Sequence, residues 1–210
     1  REAVRRGVRV AIGHTEATSE QAASAVTAGA SLVTHLFNAM PPVQARVPGT
    51  AGAALAGTVP FASIIADGVH VHPANVTAAV RSMGAGRLVL VTDAMPPVGT
   101  DTKTFDLQGR RVVVRDGACY LNDGTLAGSV LTMSAAVRNI RRMTGVPDAE
   151  AVAMASANPA RALGIDNRKG GLAAGMDADV AICSPDFDVL LTMVEGQIVY
   201  RSPSWESVSR

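Results

Sequence analysis

The sequence has few aromatic residues, only two cysteines and no excess of charge of either sign. Aromatic residues make up 3% of the 210 residues, while 48% are hydrophobic and 18% are charged. We therefore expect a well-buried core built from small and branched aliphatic side chains rather than from stacked rings. The formal net charge of +1 comes without a basic block, which argues against nucleic acid as a partner.

The sequence also shows neither the pattern of a membrane-spanning helix nor that of a secretory signal. No apolar run reaches the roughly 18–20 residues that a membrane-spanning helix requires. The opening segment REAVRRGVRV lacks the long apolar stretch and the cleavage site of a secretory signal. Cys119 and Cys183 lie in different segments, and such sparse cysteine usage is typical of a reduced, cytosolic protein. The sequence thus predicts a cytoplasmic protein without a membrane segment.

What the sequence does have is four β-rich apolar runs that each end in a histidine or an aspartate. They end at His14, His35, His70 and Asp93, and a helix-like stretch follows each run. This alternation predicts parallel β/α units with the four side chains at the carboxyl ends of the strands. Active sites of parallel α/β folds and barrels lie at that edge. Because three of the four histidines occupy these positions, the pattern indicates a metal-dependent hydrolase.

Four β/α units are half of an eight-stranded barrel. We expect residues 1–164 to form the C-terminal half of a (β/α)8 TIM-like barrel, with a β-hairpin insertion at about 101–125 around Asp116-Gly117. Strand patterns in 165–202 predict the C-terminal part of a small β-sandwich domain, and 203–210 read as a polar tail. The competing architecture, a flavodoxin-like open sheet, requires a phosphate-binding glycine turn after the first strand, which this sequence lacks.

The start of the chain resembles the middle of a β/α repeat. The chain begins at Arg1 with what reads as the end of a helix, so we expect the missing N-terminal half of the barrel to precede it in a longer protein. A half-barrel alone would expose two unpaired strand edges.

A long amphipathic helix is predicted over 129–143. Its N-terminus would bring the backbone N–H groups of Leu126, Ala127 and Gly128 to a ligand.

His14 and His35 follow neighbouring strands and can bring two imidazole rings to one point. Neutral imidazole is a good zinc ligand, and catalytic zinc sites commonly combine three protein ligands with a water. Either histidine alone is better explained as a structural residue at a strand end, but the pair together with Asp93 favours a metal site. Asp93 would then take a proton from the metal-bound water and pass it to a leaving amine.

Neighbouring residues are candidates for substrate binding. His70 is expected to donate a hydrogen bond to the substrate, whereas His72, at a predicted helix start, is expected to be structural. Asn38, Ala39 and Arg46 occupy the long loop after the second strand, where they could hold a polar or anionic group. An arginine suits bidentate recognition of phosphate. A surface arginine without a ligand is the alternative for Arg46.

Five motifs resemble those of the N-acetylglucosamine-6-phosphate deacetylases, a family of the amidohydrolase superfamily. They are GHTEA at 13–17, THLFNAMPP at 34–42, IIADGVHVHP at 64–73, LVTDAMPPVG at 90–99 and GTLAGSVLTM at 124–133. The C-terminal GGLAAGMDADVAI also resembles a strand of the small β-sandwich domain of that superfamily. The motifs occur in order and with compatible spacing over nearly the whole chain.

The resemblance implies hydrolysis of the N-acetyl group of N-acetylglucosamine 6-phosphate, giving acetate and glucosamine 6-phosphate. It implies that His14 and His35 bind a divalent metal ion, zinc by default, with Fe, Mn, Co or Ni as alternatives, and that Asp93 is the general base and acid. In this family the arginine that matches Arg46 reaches the phosphate from the neighbouring subunit, which implies a homodimer. The implied substrate-binding residues are Asn38, Ala39, Arg46, Asp67, Gly68, Val69, His70, Leu126, Ala127 and Gly128.

Two parts of the family's site have no counterpart in this sequence. They are the glutamate that serves as third metal ligand and the histidine that polarises the acetyl carbonyl, both upstream of GHTEA in the family. We therefore expect the longer parent protein to be an active deacetylase and this chain alone to be inactive. Two alternatives stay open. One is a different amide hydrolase of the superfamily, such as a dihydroorotase-like enzyme, and the other is a non-catalytic half-barrel that serves in binding or assembly.

Overall fold

A parallel sheet forms the centre of the computed structural model, which describes residues 1–205. Its strands are β1 (Val10–Ile12), β2 (Ala30–Val33), β3 (Phe61–Ile64) and β4 (Leu88–Leu90). They pair in chain order, β1-β2-β3-β4, and every pair is parallel. Sequential parallel neighbours are the arrangement of a β/α barrel, whereas a flavodoxin-like sheet reverses its strand order. The predicted α/β half-barrel is confirmed, and within the described residues β1 and β4 each pair with one strand only.

Helices connect and cover these strands. In chain order they are α1 (Glu2–Arg5), α2 (Ser19–Thr27), α3 (Gly49–Leu55), α4 (Pro73–Met83), α5 (Met133–Thr144), α6 (Asp148–Ala155) and α7 (Ala157–Leu163). A capping box between Thr18 and Gln21 opens α2. At the start of α4, His72 Nδ1 accepts the N–H of Ala74 at 3.2 Å, and Pro73 occupies the first helical position. His72 is therefore a helix cap. No helix in the described part is both long and apolar enough to cross a membrane.

The main core lies between the parallel sheet and helices α3 to α6, and it is aliphatic. Within residues 1–205 no Phe, Tyr or Trp belongs to the buried hydrophobic set, and Phe37 and Phe187 only pack at its margin. Burying a Val, Leu, Ile or Met side chain contributes roughly 1.5–3 kcal/mol to folding. The largest fully buried members of this core are Leu36, Ile64, Ile65, Leu88, Leu90, Ile140 and Met154.

A second, antiparallel sheet follows β4 and is larger than the predicted hairpin. Its strands β5 (Thr104–Leu107), β6 (Arg110–Arg115), β7 (Ala118–Leu121) and β8 (Leu126–Ser129) pair in chain order. The hairpin at Asp116-Gly117 joins β6 to β7, and both turn residues have positive φ, as a tight two-residue hairpin turn requires. Strands β5 and β8 extend this hairpin on either side.

The expectation that the long helix starts at Ser129 is wrong. Helix α5 begins at Met133, where Thr132 Oγ1 accepts the N–H of Ala135 at 3.3 Å. Ser129 and the three residues before it form β8 and pair with β7. Leu126, Ala127 and Gly128 therefore present no helix N-terminus to a ligand. A short apolar run does not distinguish strand from helix by periodicity, which explains the error.

The C-terminal region forms a third sheet of β9 (Val180–Cys183), β10 (Val189–Val194) and β11 (Gln197–Arg201), in the antiparallel order β11-β10-β9. Ion pairs join it to the barrel helices: Arg138 on α5 binds Asp188 at 2.7 Å, and Arg141 lies 3.8 Å from Asp186. The polar tail predicted over 203–210 lies, from residue 206 onward, outside the described residues.

Candidate metal and catalytic site

Three predicted site residues lie at the same edge of the parallel sheet, just beyond the strand ends. His14 follows β1, His35 follows β2 and Asp93 follows β4. All three adopt left-handed backbone conformations, with φ of 44°, 29° and 50°. Such φ values are uncommon outside glycine, and they cluster at functional sites, where the surrounding structure holds them. The chain therefore turns sharply at each strand end and carries a reactive side chain there.

The two histidines converge through their outer ring nitrogens. His14 Nε2 and His35 Nε2 lie 2.8 Å apart, and the ring centroids are 4.7 Å apart in an edge-to-face arrangement. The other ring nitrogen of His35, Nδ1, is buried and has no hydrogen-bond partner in the described part of the chain. Histidines that bind metals usually donate this second N–H to a carboxylate, a carbonyl or a water.

The donor chemistry of this pair fits a divalent transition-metal ion, because imidazole nitrogen suits zinc, iron, copper and nickel. Catalytic zinc sites commonly use three protein ligands. Among residues 1–205, no third His, Cys, Asp or Glu joins the pair to make a metal-binding group. The two imidazoles therefore fit as part of a metal site, and the described residues do not complete it.

Ser63 holds the turn that carries His35, a contact that sequence analysis missed. Its side chain is buried in β3, and Oγ accepts the backbone N–H of His35 at 2.7 Å. The carbonyl of Ser63 accepts the N–H of Leu36, also at 2.7 Å. These two bonds fix the left-handed conformation after β2. The available signal was a single hydroxyl in the otherwise apolar strand FASII.

Asp67 and His70 form a buried pair after β3, with side chains only 5% and 4% exposed. Asp67 Oδ2 accepts His70 Nδ1–H at 2.6 Å, while Oδ1 accepts the backbone N–H groups of Val69 and His70, both at 2.8 Å. Burial by itself would raise the pKa of the Asp67 carboxyl, but these hydrogen bonds together outweigh it and hold that pKa below its ordinary value. Gly68 and Val69 are exposed in the same turn.

His70 also faces Asp93 across the sheet edge. His70 Nε2 lies 3.9 Å from Asp93 Oδ2, and the Asp93 side chain is 46% exposed. This distance is too long for a direct hydrogen bond. The structure thus lines up Asp67, His70 and Asp93, an arrangement that the sequence analysis did not predict.

Hydrogen bonds hold the first part of the loop after β2. Asn38 Nδ2 donates to the carbonyls of His35 and Leu36, both at 3.2 Å. The Ala39 carbonyl accepts the N–H of Thr15 at 3.1 Å, which joins this loop to the one after β1. Arg46 is exposed further along the loop and makes no ion pair with any described residue.

Strand β8 lies directly against the Asp93 turn. The N–H of Ser129 donates to the Asp93 carbonyl at 2.9 Å, and the N–H of Met95 donates to the Ser129 carbonyl at 2.8 Å. Ser129 Oγ also donates to the Thr92 carbonyl. The segment 126–128 is therefore adjacent to Asp93 as a strand, although not in the helix N-terminal geometry that we expected.

Gly128 is required by this close approach, and we expect Gly128→Ala to destabilise the chain. Its φ is +140°, and an added Cβ would lie 2.6 Å from Met95 Cγ and 3.0 Å from the Asp93 carbonyl oxygen. Gly124→Ala is a matched control, since Gly124 has a φ of +86° but no neighbour within 4 Å of an added Cβ. The overlap should lower the free energy of unfolding by about 1–3 kcal/mol more in Gly128→Ala than in the control. Urea unfolding followed by circular dichroism measures both, and equal losses would contradict the close-approach argument.

Comparison with known proteins decides the family. The sequence model of a family described as "Amidohydrolase family" matches residues 1–199. The chain belongs to the amidohydrolase family. It is 40% identical over 197 residues to the N-acetylglucosamine-6-phosphate deacetylase of Bacillus subtilis (strain 168), covering 94% of this chain and 50% of that protein. It is also 40% identical over 191 residues to the N-acetylgalactosamine-6-phosphate deacetylase of Escherichia coli O157:H7, covering 91% and 50%.

A solved structure agrees with these similarities. The crystal structure of N-acetylglucosamine-6-phosphate deacetylase from Pasteurella multocida matches with a TM-score of 0.91 at 37% identity, covering 96% of this amidohydrolase chain and 52% of that chain. The resemblance inferred from the motifs is thus confirmed. The amidohydrolase chain spans about half the length of the relatives it matches. Membership of the superfamily implies a divalent metal ion as cofactor.

Proposed function

We propose that the natural polypeptide containing this chain hydrolyses N-acetylglucosamine 6-phosphate to acetate and glucosamine 6-phosphate. The observation that carries the proposal is the placement of His14, His35 and Asp93 at one sheet edge, in a chain about 40% identical to deacetylases of this class. Because the chain spans about half of those relatives, we propose the activity for the whole polypeptide and expect residues 1–210 alone to be inactive. The cytoplasm is the proposed compartment, in keeping with the sparse cysteines.

His14 and His35 would hold the metal ion through Nε2. We propose zinc, because imidazole nitrogen is among its preferred ligands, with Fe, Mn, Co and Ni as the alternatives that metal analysis would distinguish. When bound, a divalent ion would lower the pKa of a coordinated water toward about 7, so that a weak base would suffice for its deprotonation.

Asp93 is the proposed general base and then the general acid. Its carboxylate takes a proton from the attacking water as the new C–O bond forms at the acetyl carbonyl. It returns that proton to the nitrogen as the C–N bond breaks, which releases the amine and acetate. The left-handed turn and the hydrogen bonds from β8 support this role, since they fix the backbone that carries an otherwise exposed side chain.

The substrate is proposed to lie across the loops at this edge. Arg46 would bind the phosphate from the neighbouring subunit of a homodimer, which its exposure and its lack of an ion pair within the described residues support. Asn38 and Ala39 would contact the substrate from the start of the same loop. The turn 67–70 would act mainly through His70, and strand residues 126–128 would line the side near Asp93.

Acetate release by the purified natural polypeptide tests the proposal. We expect hydrolysis of N-acetylglucosamine 6-phosphate, loss of activity after chelation, and recovery when metal is added back. Residues 1–210 alone serve as the matched control and should release no acetate. Intact amidohydrolase activity on other amides, with none on phosphorylated N-acetyl amino sugars, would refute the proposed substrate.

N-acetylgalactosamine 6-phosphate is a second candidate substrate. The 40% identity to a deacetylase named for that sugar favours testing it, because it equals the identity to the glucosamine enzyme of Bacillus subtilis. The two sugars differ in the orientation of one hydroxyl. The ratio of their kcat/KM values therefore assigns the preferred substrate.

Arg46→Ala is expected to raise KM for the phosphorylated substrate by about 10- to 100-fold, since a hydrogen bond to a charged group contributes about 1.5–3 kcal/mol. Initial rates with phosphorylated and unphosphorylated N-acetylglucosamine would measure the effect, which should be small for the unphosphorylated sugar. Arg81→Ala removes another exposed arginine, on α4, and should leave both values unchanged. A similar rise for both sugars would remove Arg46 from phosphate binding.

A further inference from the structure

The carboxylate of Asp67 already accepts three hydrogen bonds from within its own turn. Both of its oxygens are occupied, one by two backbone N–H groups and the other by the His70 ring, and the side chain is 5% exposed. An ionised carboxylate only accepts hydrogen bonds, so the 2.6 Å contact requires that His70 Nδ1 carries a proton. In neutral imidazole the other nitrogen is then an acceptor.

The other ring nitrogen of His70 faces the Asp93 carboxylate. His70 Nε2 and Asp93 Oδ2 are 3.9 Å apart, well beyond hydrogen-bond length, so no direct hydrogen bond joins them. A group that carries protons, such as a hydroxyl or a water, fits between them. A phosphate oxygen does not, because it would be a third acceptor. An acceptor role of this kind differs from the donor role that the sequence led us to expect for His70.

We propose that Asp67 is a positioning residue that holds His70 in the Nδ1-protonated tautomer. His70 Nε2 then faces Asp93 as an acceptor, and the Asp93 carboxylate receives no hydrogen bond from His70. The inference rests on the proposed function for its consequence in catalysis, but the tautomer itself is a property of this chain. With the opposite tautomer, His70 Nε2–H would face Asp93 as a donor. It could then occupy the carboxylate oxygen that must accept the proton of the attacking water.

Nitrogen NMR of the 15N-histidine-labelled chain tests the tautomer without any substrate. The chain has four histidines, and loss of one ring signal in His70→Gln assigns His70. At about pH 8 we expect a protonated Nδ1 and an unprotonated Nε2. An Nε2-protonated ring, or a ring protonated at both nitrogens, would overturn the proposal. The tautomer is read from the wild-type spectrum once this signal is assigned, and His70→Asn provides the assignment if His70→Gln does not fold. A wild-type spectrum in which none of the four rings is protonated at Nδ1 alone would overturn the proposal without any assignment.

Asp67→Asn shows whether Asp67 sets the tautomer. The amide oxygen can still accept the backbone N–H groups of Val69 and His70, while the amide NH2 faces His70 Nδ1 and should shift the ring proton to Nε2. Asp106→Asn is the matched control, because Asp106 Oδ1 accepts a backbone N–H from Gly109 at 2.7 Å but contacts no histidine. An unchanged His70 spectrum in folded Asp67→Asn would contradict the assigned role.

Kinetics of the natural polypeptide separate positioning from simple structural support. We expect Asp67→Asn to lower kcat by about tenfold or more, and to have no further effect when His70→Gln is already present. A purely structural role of Asp67 would cause the same loss in both backgrounds. If the polypeptide fails to hydrolyse the phosphorylated sugar, the proposed function falls, whereas the NMR result stands or fails independently.

Discussion

Asp93→Asn in the natural polypeptide is expected to reduce turnover by about 10²- to 10⁴-fold, the range for loss of a positioned general base. The amide is nearly isosteric with the carboxylate but cannot take up the proton. Asparagine also tolerates the left-handed backbone at this position, so the fold should persist. Steady-state rates of acetate release, together with metal content by mass spectrometry, measure the two effects separately, and the metal content should stay unchanged.

Asp116→Asn is the control for this experiment. Asp116 has the same φ of 50° as Asp93 and lies in the hairpin turn between β6 and β7. Its replacement tests whether the aspartate-to-asparagine change at a left-handed position is harmful in itself. Turnover near the wild-type rate in Asp93→Asn would remove Asp93 from the reaction, and equal losses in both variants would point to a structural effect.

His35→Asn is expected to weaken metal binding by more than about 100-fold, since replacing even an outer partner of a metal ligand costs 10- to 100-fold in affinity. Turnover should fall in step with metal content. The change removes one of the two converging nitrogens while keeping a residue type that accepts the left-handed turn. Equilibrium dialysis against a chelator-buffered zinc series measures the affinity directly, and the same series with Mn, Fe, Co or Ni identifies the preferred ion.

His72→Asn is the matched control, because asparagine is itself a preferred helix N-cap and His72 caps α4 away from the converging pair. Zinc affinity should be unchanged in this variant. Wild-type affinity in His35→Asn would exclude His35 as a ligand, and a loss in both variants would indicate that the fold rather than the ligand was disturbed.

The sequence predicts the parallel strands and the residues at their ends well, because both depend on local features. An apolar run that ends in a histidine or an aspartate is a local pattern, and such runs mark the carboxyl ends of β1, β2 and β4. The start of α5 could not be predicted in the same way. Residues 126–129 become a strand because β7 pairs with them and the Asp93 turn docks on them, and both contacts come from elsewhere in the chain.

Within the site, local contacts could likewise be predicted from the sequence, whereas contacts between distant segments could not. An aspartate that caps the N–H groups two and three residues later is a known local turn, so the turn at Asp67 had a readable signal in DGVH. The approach of His70 to Asp93 joins the ends of two different strands and depends on sheet register. The bond from His35 to Ser63 likewise exists only because β2 and β3 are neighbours.

The left-handed turns at His14, His35 and Asp93 restrict how this rim can change by mutation. Asparagine, aspartate and histidine are the residue types beside glycine that are several-fold enriched in this conformation. A carboxylate or an imidazole on a short side chain can therefore be exchanged at these positions with little backbone cost. A β-branched residue cannot. The left-handed backbone at these three positions therefore restricts which metal ligands and catalytic groups variants of this chain can carry there.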